Sequence, residues 1–212
     1  MTLENNMSQG HGIIWENEVH KIFDKEYVYN NKEKYDIVLP DKDGNNGENI
    51  SIKVTGGNNI DCGDIERFYN YDFTKKCTIM VIKYKQSNDN KIITSCCEIN
   101  YTKEMRDMLF GSITPIILKE YVDSIKAFPP GKITDKSYLK TKRLLEKNHN
   151  MKIGIRPKID SKNQRRVQCA IPKFADLCKS FITYDSSNES IPNMFRGKII
   201  PLMIKSAKRA RK

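Results

Sequence analysis

Two short apolar runs, KYDIVLP at residues 34–40 and NISIKV at 49–54, are separated by DKDGNNGE, a stretch of turn formers. Gly, Asn and Asp supply the bent and positive-φ backbone that a chain reversal needs, so this pattern specifies a β-hairpin or meander. Each run also carries groups that a strand interior resists: Asp36 in the first, Ser51 and Lys53 in the second. Burying an unpaired charge costs several kcal/mol, so these residues face either water or one another. Ser51 and Lys53 are two apart and point to one side of their strand. On a paired strand, Asp36 lies within about 5–8 Å of them. An acid, a hydroxyl and a lysine at that range can hold a divalent cation and a water against a phosphodiester. The carboxylate is a hard oxygen ligand suited to Mg²⁺, and the ammonium stabilises charge on an attacking water or on the phosphorane.

The surrounding pattern is α+β, or α/β around a small mixed sheet. Before the hairpin, GIIWENEVHKIF places Trp15, Val19, Ile22 and Phe23 at helical spacing, which predicts a helix over about 13–25. After it, TGGNNIDCGD reads as a glycine-rich loop, with Asp61 or Asp64 capping a helix at DIERFYNY. CTIMVIKYK and KIITSCCEINY read as two strands joined by QSNDN, followed by helices near 103–110 and 114–127. Pro129-Pro130-Gly131 marks an internal boundary. Residues 1–128 are then a core carrying the metal site. Residues 129–212 form a basic C-terminal region packed on that core as one domain. This region comprises a helix at DKSYLKTKRLLEKNH, a hairpin over 152–171 turning at DSKN, and a basic tail, KSAKRARK.

At Asp36, Ser51, Ile52 and Lys53 the chain resembles the PD-(D/E)XK nuclease superfamily, which has the restriction-endonuclease-like fold. The family pattern is an Asp on one strand, a gap of some 10–30 residues, and Glu/Asp-X-Lys on the next. Tyr35 stands where the family has Pro, and Ser51 stands where the second acid usually stands. Two carboxylates compensate in the pattern. Glu16, in WENEV on the first helix, is similar to the helix Glu that many members point at the metal, and it precedes Val19, Ile22 and Phe23 in their register, unlike Glu18. Glu66 opens the helix after the hairpin, near where some Ser-X-Lys restriction enzymes carry a displaced acid. The downstream arginine motif of that group is absent. The resemblance covers about residues 10–85.

The resemblance implies a Mg²⁺-dependent endodeoxyribonuclease, with Mn²⁺ as a substitute metal, most like a type II restriction enzyme cutting duplex DNA. It implies Asp36, Glu16 or Glu66, and the Ile52 carbonyl as metal ligands. Lys53 orients or deprotonates water, and Ser51 hydrogen-bonds a metal-bound water. Cutting both strands of a palindrome implies a homodimer, and a cognate DNA methyltransferase encoded elsewhere. The alternatives are a junction resolvase or repair nuclease, and a catalytically inactive nuclease-fold DNA-binding protein.

The charge balance agrees with a polyanionic partner: 37 Lys and Arg against 26 Asp and Glu give a net charge of +11 in 212 residues. The 152–171 hairpin concentrates Arg156, Lys158, Lys162, Gln164, Arg165, Arg166 and Gln168 on a ribbon that fits the major groove. Asn58 and Asn59, just after Lys53, are further candidates for base contact, and the basic tail also resembles a nuclear-import signal. His11, between two glycines, is either a loop residue with no role or one that approaches a phosphate or carries a proton near pH 7, while His20 and His149 belong on helix surfaces. The six cysteines show no C-x-x-C pair, and no apolar leader or membrane-length run occurs. The expectation is an intracellular protein, cytoplasmic or nuclear, with reduced thiols and no membrane partner.

Overall fold

The computed structural model describes residues 10–24, 35–40, 47–131, 136–160 and 164–205. In chain order come helix α1 (Gly10–Ile22), strands β1 (Ile37–Leu39), β2 (Glu48–Thr55) and β3 (Ile60–Asp64), and helix α2 (Ile65–Tyr69). The long strands β4 (Lys76–Ser87) and β5 (Asn90–Asn100) follow, then helices α3 (Lys103–Phe110), α4 (Pro115–Lys126) and α5 (Ser137–Asn148). Strands β6 (Gly154–Ile159) and β7 (Arg165–Ile171) precede the short helix α6 (Phe174–Leu177). Strands β8 (Ile182–Asp185), β9 (Met194–Phe195), β10 (Lys198–Ile199) and β11 (Met203–Lys205) end the described chain. The class is mixed α/β, as expected. Two compact units divide it: Met1–Gly57 with Thr74–Asn100 and Ser180–Lys212, and Asn58–Phe73 with Tyr101–Lys179. The Pro129-Pro130-Gly131 break lies inside the second unit.

In the first unit a mixed sheet runs β1-β2-β4-β5-β11, and β8 also pairs with β5. The expected hairpin partners do pair: β1 is antiparallel to β2, with Ile37 opposite Ile50. β2 is parallel to β4, with Ser51 opposite Ile79 and Lys53 opposite Val81, and β4 is antiparallel to β5. Strand alternation sends Ile50, Ile52, Met80 and Ile82 to one face, where they form a core with Trp15, Val19 and Ile22 of α1. Trp15 is fully buried and its indole N–H donates to the Pro201 carbonyl at 3.0 Å. The helix stops at Ile22 rather than 25 because Asp24 adopts a left-handed φ of 53°, with tight N–H bonds from Phe23 to His20 and from Asp24 to Lys21. His11 therefore lies in a helix rather than a loop, and His20 is buried rather than on the surface.

A charged tie crosses this face. Arg196 and Gly197 form a two-residue turn between β9 and β10, both at positive φ (49° and 76°), as a type I′ hairpin requires. The turn brings the Arg196 guanidinium onto the Glu48 carboxylate through two bonds of 2.8 Å, and onto Glu98 at 2.9–3.2 Å. Thr78 donates a further bond to Glu48, and Lys76 lies 3.2 Å away. Burial alone would raise the Glu48 carboxyl, but the Arg196 and Thr78 hydrogen bonds outweigh it and hold it down at about 2.

The second unit is built on an antiparallel sheet ordered β3-β7-β6. Residues 60–64, expected in a glycine-rich loop, form β3 because Ile60 and Cys62 alternate inward and are buried. Glycine there serves a bulge: Gly63, at φ 74°, sits where the β3–β7 register shifts. Asp64 caps α2 by accepting from the Arg67 N–H at 2.9 Å, one of the two caps the sequence allowed. Thr102 and Thr114 cap α3 and α4 in the same way. A Cβ at Gly111 would meet the His149 carbonyl oxygen at 1.8 Å, so only glycine permits that contact. All six cysteines are free and buried, the small apolar residues they were expected to be. Among the described residues no helix is long and apolar enough to cross a membrane.

Arg165 is the pin of this unit. Its guanidinium donates to the carbonyls of Phe128, Pro129, Gly131, Asp160 and Gln164. Arg165→Ala is expected to lower the urea midpoint by the equivalent of about 2 kcal/mol, since several carbonyls lose a charged donor. Arg165→Lys, lacking the planar fork, should recover only part of it.

Candidate functional site

The sequence pattern and the structure meet at one carboxylate oxygen. Asp36 precedes β1 and, extending the β1–β2 register, falls opposite Ser51. Its Oδ2 accepts from the Ser51 hydroxyl at 3.1 Å and from the Ile52 N–H at 2.6 Å, and the Lys53 Nζ lies 3.8 Å away. Asp36 and Lys53 keep 34% and 21% of their side-chain surface exposed, so a solute can reach both. Ser51 is buried. The three β2 positions reach the same oxygen by different routes. Ser51 and Lys53 use side chains on the face opposite the Ile50–Ile52 core, while Ile52 uses its backbone at the strand edge. A strand residue sends its N–H and C=O to the same edge, so the Ile52 carbonyl also faces the Asp36 side of β2.

Mg²⁺ takes hard oxygens, keeps several waters, and is commonly held by one or two carboxylates plus substrate phosphate. Of the residues expected as ligands, the Asp36 carboxylate and the Ile52 carbonyl are oxygen donors of the kind that demand calls for. The expected second acids have the following surroundings. Glu66, on α2 in the second unit, pairs with Lys126 of α4 at 3.1 Å. Glu16 belongs to α1, which packs against the Ile50–Ile52 face, whereas Ser51 and Lys53 point to the other. Glu18, the competing acid, pairs with Lys21 at 2.6 Å. Among the described residues, no three His, Cys, Asp or Glu side chains group as a metal site.

The proposed DNA-contacting residues separate by strand parity. Arg156 opposes Gln168 and Lys158 opposes Arg166, so these four share the solvent face of the three-stranded sheet. Arg156 also lies 3.6 Å from Asp61. Arg165 falls on the other face, with buried Val167 and Cys169, and its donors are engaged by the carbonyls described above. The hairpin is not a free ribbon, because β7 is the central strand, flanked by β3 and β6. Gln164 accepts this geometry at the turn, its N–H donating to Asp160 Oδ1. Asn59 accepts from the Lys173 N–H through its side chain, and the Asn58 carbonyl accepts from Phe174, so both shape a connection within the second unit. His149 caps α5 and lies 3.2 Å from the Ser112 hydroxyl. Lys162 and the tail beyond residue 205 lie outside the described residues. No protein-family model, curated protein or solved structure matches this chain.

Proposed function

We propose that the chain is a Mg²⁺-dependent endodeoxyribonuclease acting on double-stranded DNA, with the restriction-endonuclease-like fold and the site-specific cutting of a type II enzyme. The observation that carries this reading is the convergence of Ser51, Ile52 and Lys53 on Asp36 Oδ2 across two antiparallel strands. Asp36 and Lys53 supply the first and last residues of the Asp…Glu/Asp-X-Lys pattern, with Ser51 in place of the second acid, and the strand after β2 in the sheet is parallel to it. Mg²⁺ bound at Asp36 and the Ile52 carbonyl would neutralise phosphate charge and acidify a water. Lys53 orients that water and offsets charge on the phosphorane, and Ser51 holds the Asp36 carboxylate in position. Two copies would be needed to cut both strands of a palindrome, so the working assembly is a homodimer.

The test is incubation of the pure protein with plasmid and phage DNA in Mg²⁺ and in Mn²⁺, beside Asp36→Asn. Asparagine keeps an acceptor for Ser51 and Ile52 while removing the charge. Discrete fragments are expected from the wild type, and intact DNA from the variant and in EDTA. A second reading, a DNA-binding protein on a nuclease scaffold without catalysis, is favoured by Ser51 at the second-acid position and by the pairing of Glu66 with Lys126. Intact DNA with every metal, alongside retained binding, would put that reading ahead.

A further inference from the structure

Helix α5 is unusual for a 12-residue helix in a folded unit: none of its residues is buried. Its packed side is only half-buried, with Leu139, Leu145 and Tyr138, whose ring meets Phe128 edge-on at 5.7 Å, so the rest of the helix surface is left to solvent or to a partner. Its inner side is anchored by Glu146, which accepts from the Ile155 N–H of β6 at 3.0 Å and pairs with Lys142 at 3.1 Å. That bond satisfies an outward N–H of β6, the edge strand of the three-stranded sheet, so α5 lies along the sheet edge. The exposed side carries a stripe at i, i+3, i+7: Lys140, Arg143 and Lys147. Across β6 and β7, Lys158 and Arg166 stand directly opposite each other, both exposed. Like charges in that register destabilise a sheet. Among the described residues, none of these five cations has an acidic partner within ion-pair distance.

We infer that the outer stripe of α5, continued by the Lys158–Arg166 pair, is a phosphate-binding rail for the backbone of duplex DNA. Lys140 to Lys147 spans about 10 Å of helix, and successive phosphates of one DNA strand advance about 3.4 Å along the axis, so the stripe matches about three phosphate steps. A polyanion seated there would also relieve the Lys158–Arg166 repulsion. An anionic membrane is the poorer match, because the stripe exposes a single leucine, Leu144, where an interfacial helix needs a broad apolar face. The choice of DNA over RNA rests on the nuclease reading; the rail itself does not.

The experiment is anisotropy of a labelled 20-base-pair duplex of arbitrary sequence with the full chain in EDTA, across a salt series. The variants are Lys140→Gln/Arg143→Gln/Lys147→Gln and Lys158→Gln/Arg166→Gln, with Lys85→Gln/Lys103→Gln/Lys179→Gln as a control of equal charge loss at exposed sites. The slope of log affinity against log salt should fall by about 0.9 for each lost phosphate contact, so by about 2.7 for the triple and 1.8 for the double variant. The control should move it less. Slopes unchanged in both rail variants, or lowered equally by the control, overturn the inference. Tighter binding to an RNA duplex or to phosphatidylserine vesicles than to DNA overturns the choice of occupant. Because EDTA blocks cleavage, rail binding without any nuclease activity would refute the nuclease reading alone, and cleavage with unaltered slopes would refute the rail alone.

Discussion

Lys53→Ala is expected to leave duplex DNA uncut in Mg²⁺, with the cleavage rate down about 10²–10⁴-fold, while metal-free DNA binding stays within a few-fold of wild type. Nζ is 3.8 Å from the Asp36 carboxylate that would hold the metal, close enough to act on a water at the same phosphate. Lys53→Arg should not restore the rate. The guanidinium is a broad, planar fork that does not deprotonate, whereas the ammonium is a compact charge on a flexible stem. The bland alternative makes different predictions. If Asp36 and Lys53 were only a cross-strand ion pair, the alanine variant would lose at most about 1 kcal/mol of stability and change nothing else. Cleavage assays on supercoiled plasmid, with a urea melt of the same preparation, separate the two. A variant that cuts at the wild-type rate would remove Lys53 from the chemistry.

Arg196→Ala is expected to be the most damaging single change to stability, at about 3–5 kcal/mol near neutral pH. Two buried carboxylates, Glu48 and Glu98, would lose the cation that bridges them, leaving Glu48 with Lys76 and Thr78. The pH dependence identifies the cause. In the wild type the Glu48 carboxyl sits at about 2 against an ordinary value of 4.5. The stability that goes with this lowered value is therefore complete above pH 4.5 and is lost as pH falls from there towards 2. Without Arg196, burial should push the carboxyl up instead, and protonation then relieves the repulsion. The gap between variant and wild type should be widest near pH 7 and shrink below about pH 4.5, as measured by chemical denaturation across pH. A gap that widens on acidification would mean that Glu48 is not the group Arg196 stabilises.

Local pattern made the β1–β2 pairing legible, along with its consequence for Asp36, Ser51 and Lys53. A strand's period of two and a turn-rich gap leave little choice of partner or face. The same held for the burial of Trp15, Val19 and Ile22, and for the Asp64 cap. The glycine-rich stretch before α2 misled, because β3 exists only through pairing with β7, about 110 residues downstream. Glu66 was assigned towards the metal by its distance from Lys53 in the chain, but spacing does not reveal that Lys126 stands beside it. The basic hairpin was visible as charge, not as two faces. Parity could have separated Arg165 from Arg166, but the five carbonyls that hold Arg165 come largely from the Phe128–Gly131 loop, which sequence does not place there. Sequence by itself determined which way side chains point along a strand or helix, because that follows from backbone geometry within a few residues. Only the tertiary structure decided what each side chain meets, because the partners of Glu48, Glu66 and Arg165 come from distant segments brought close by packing.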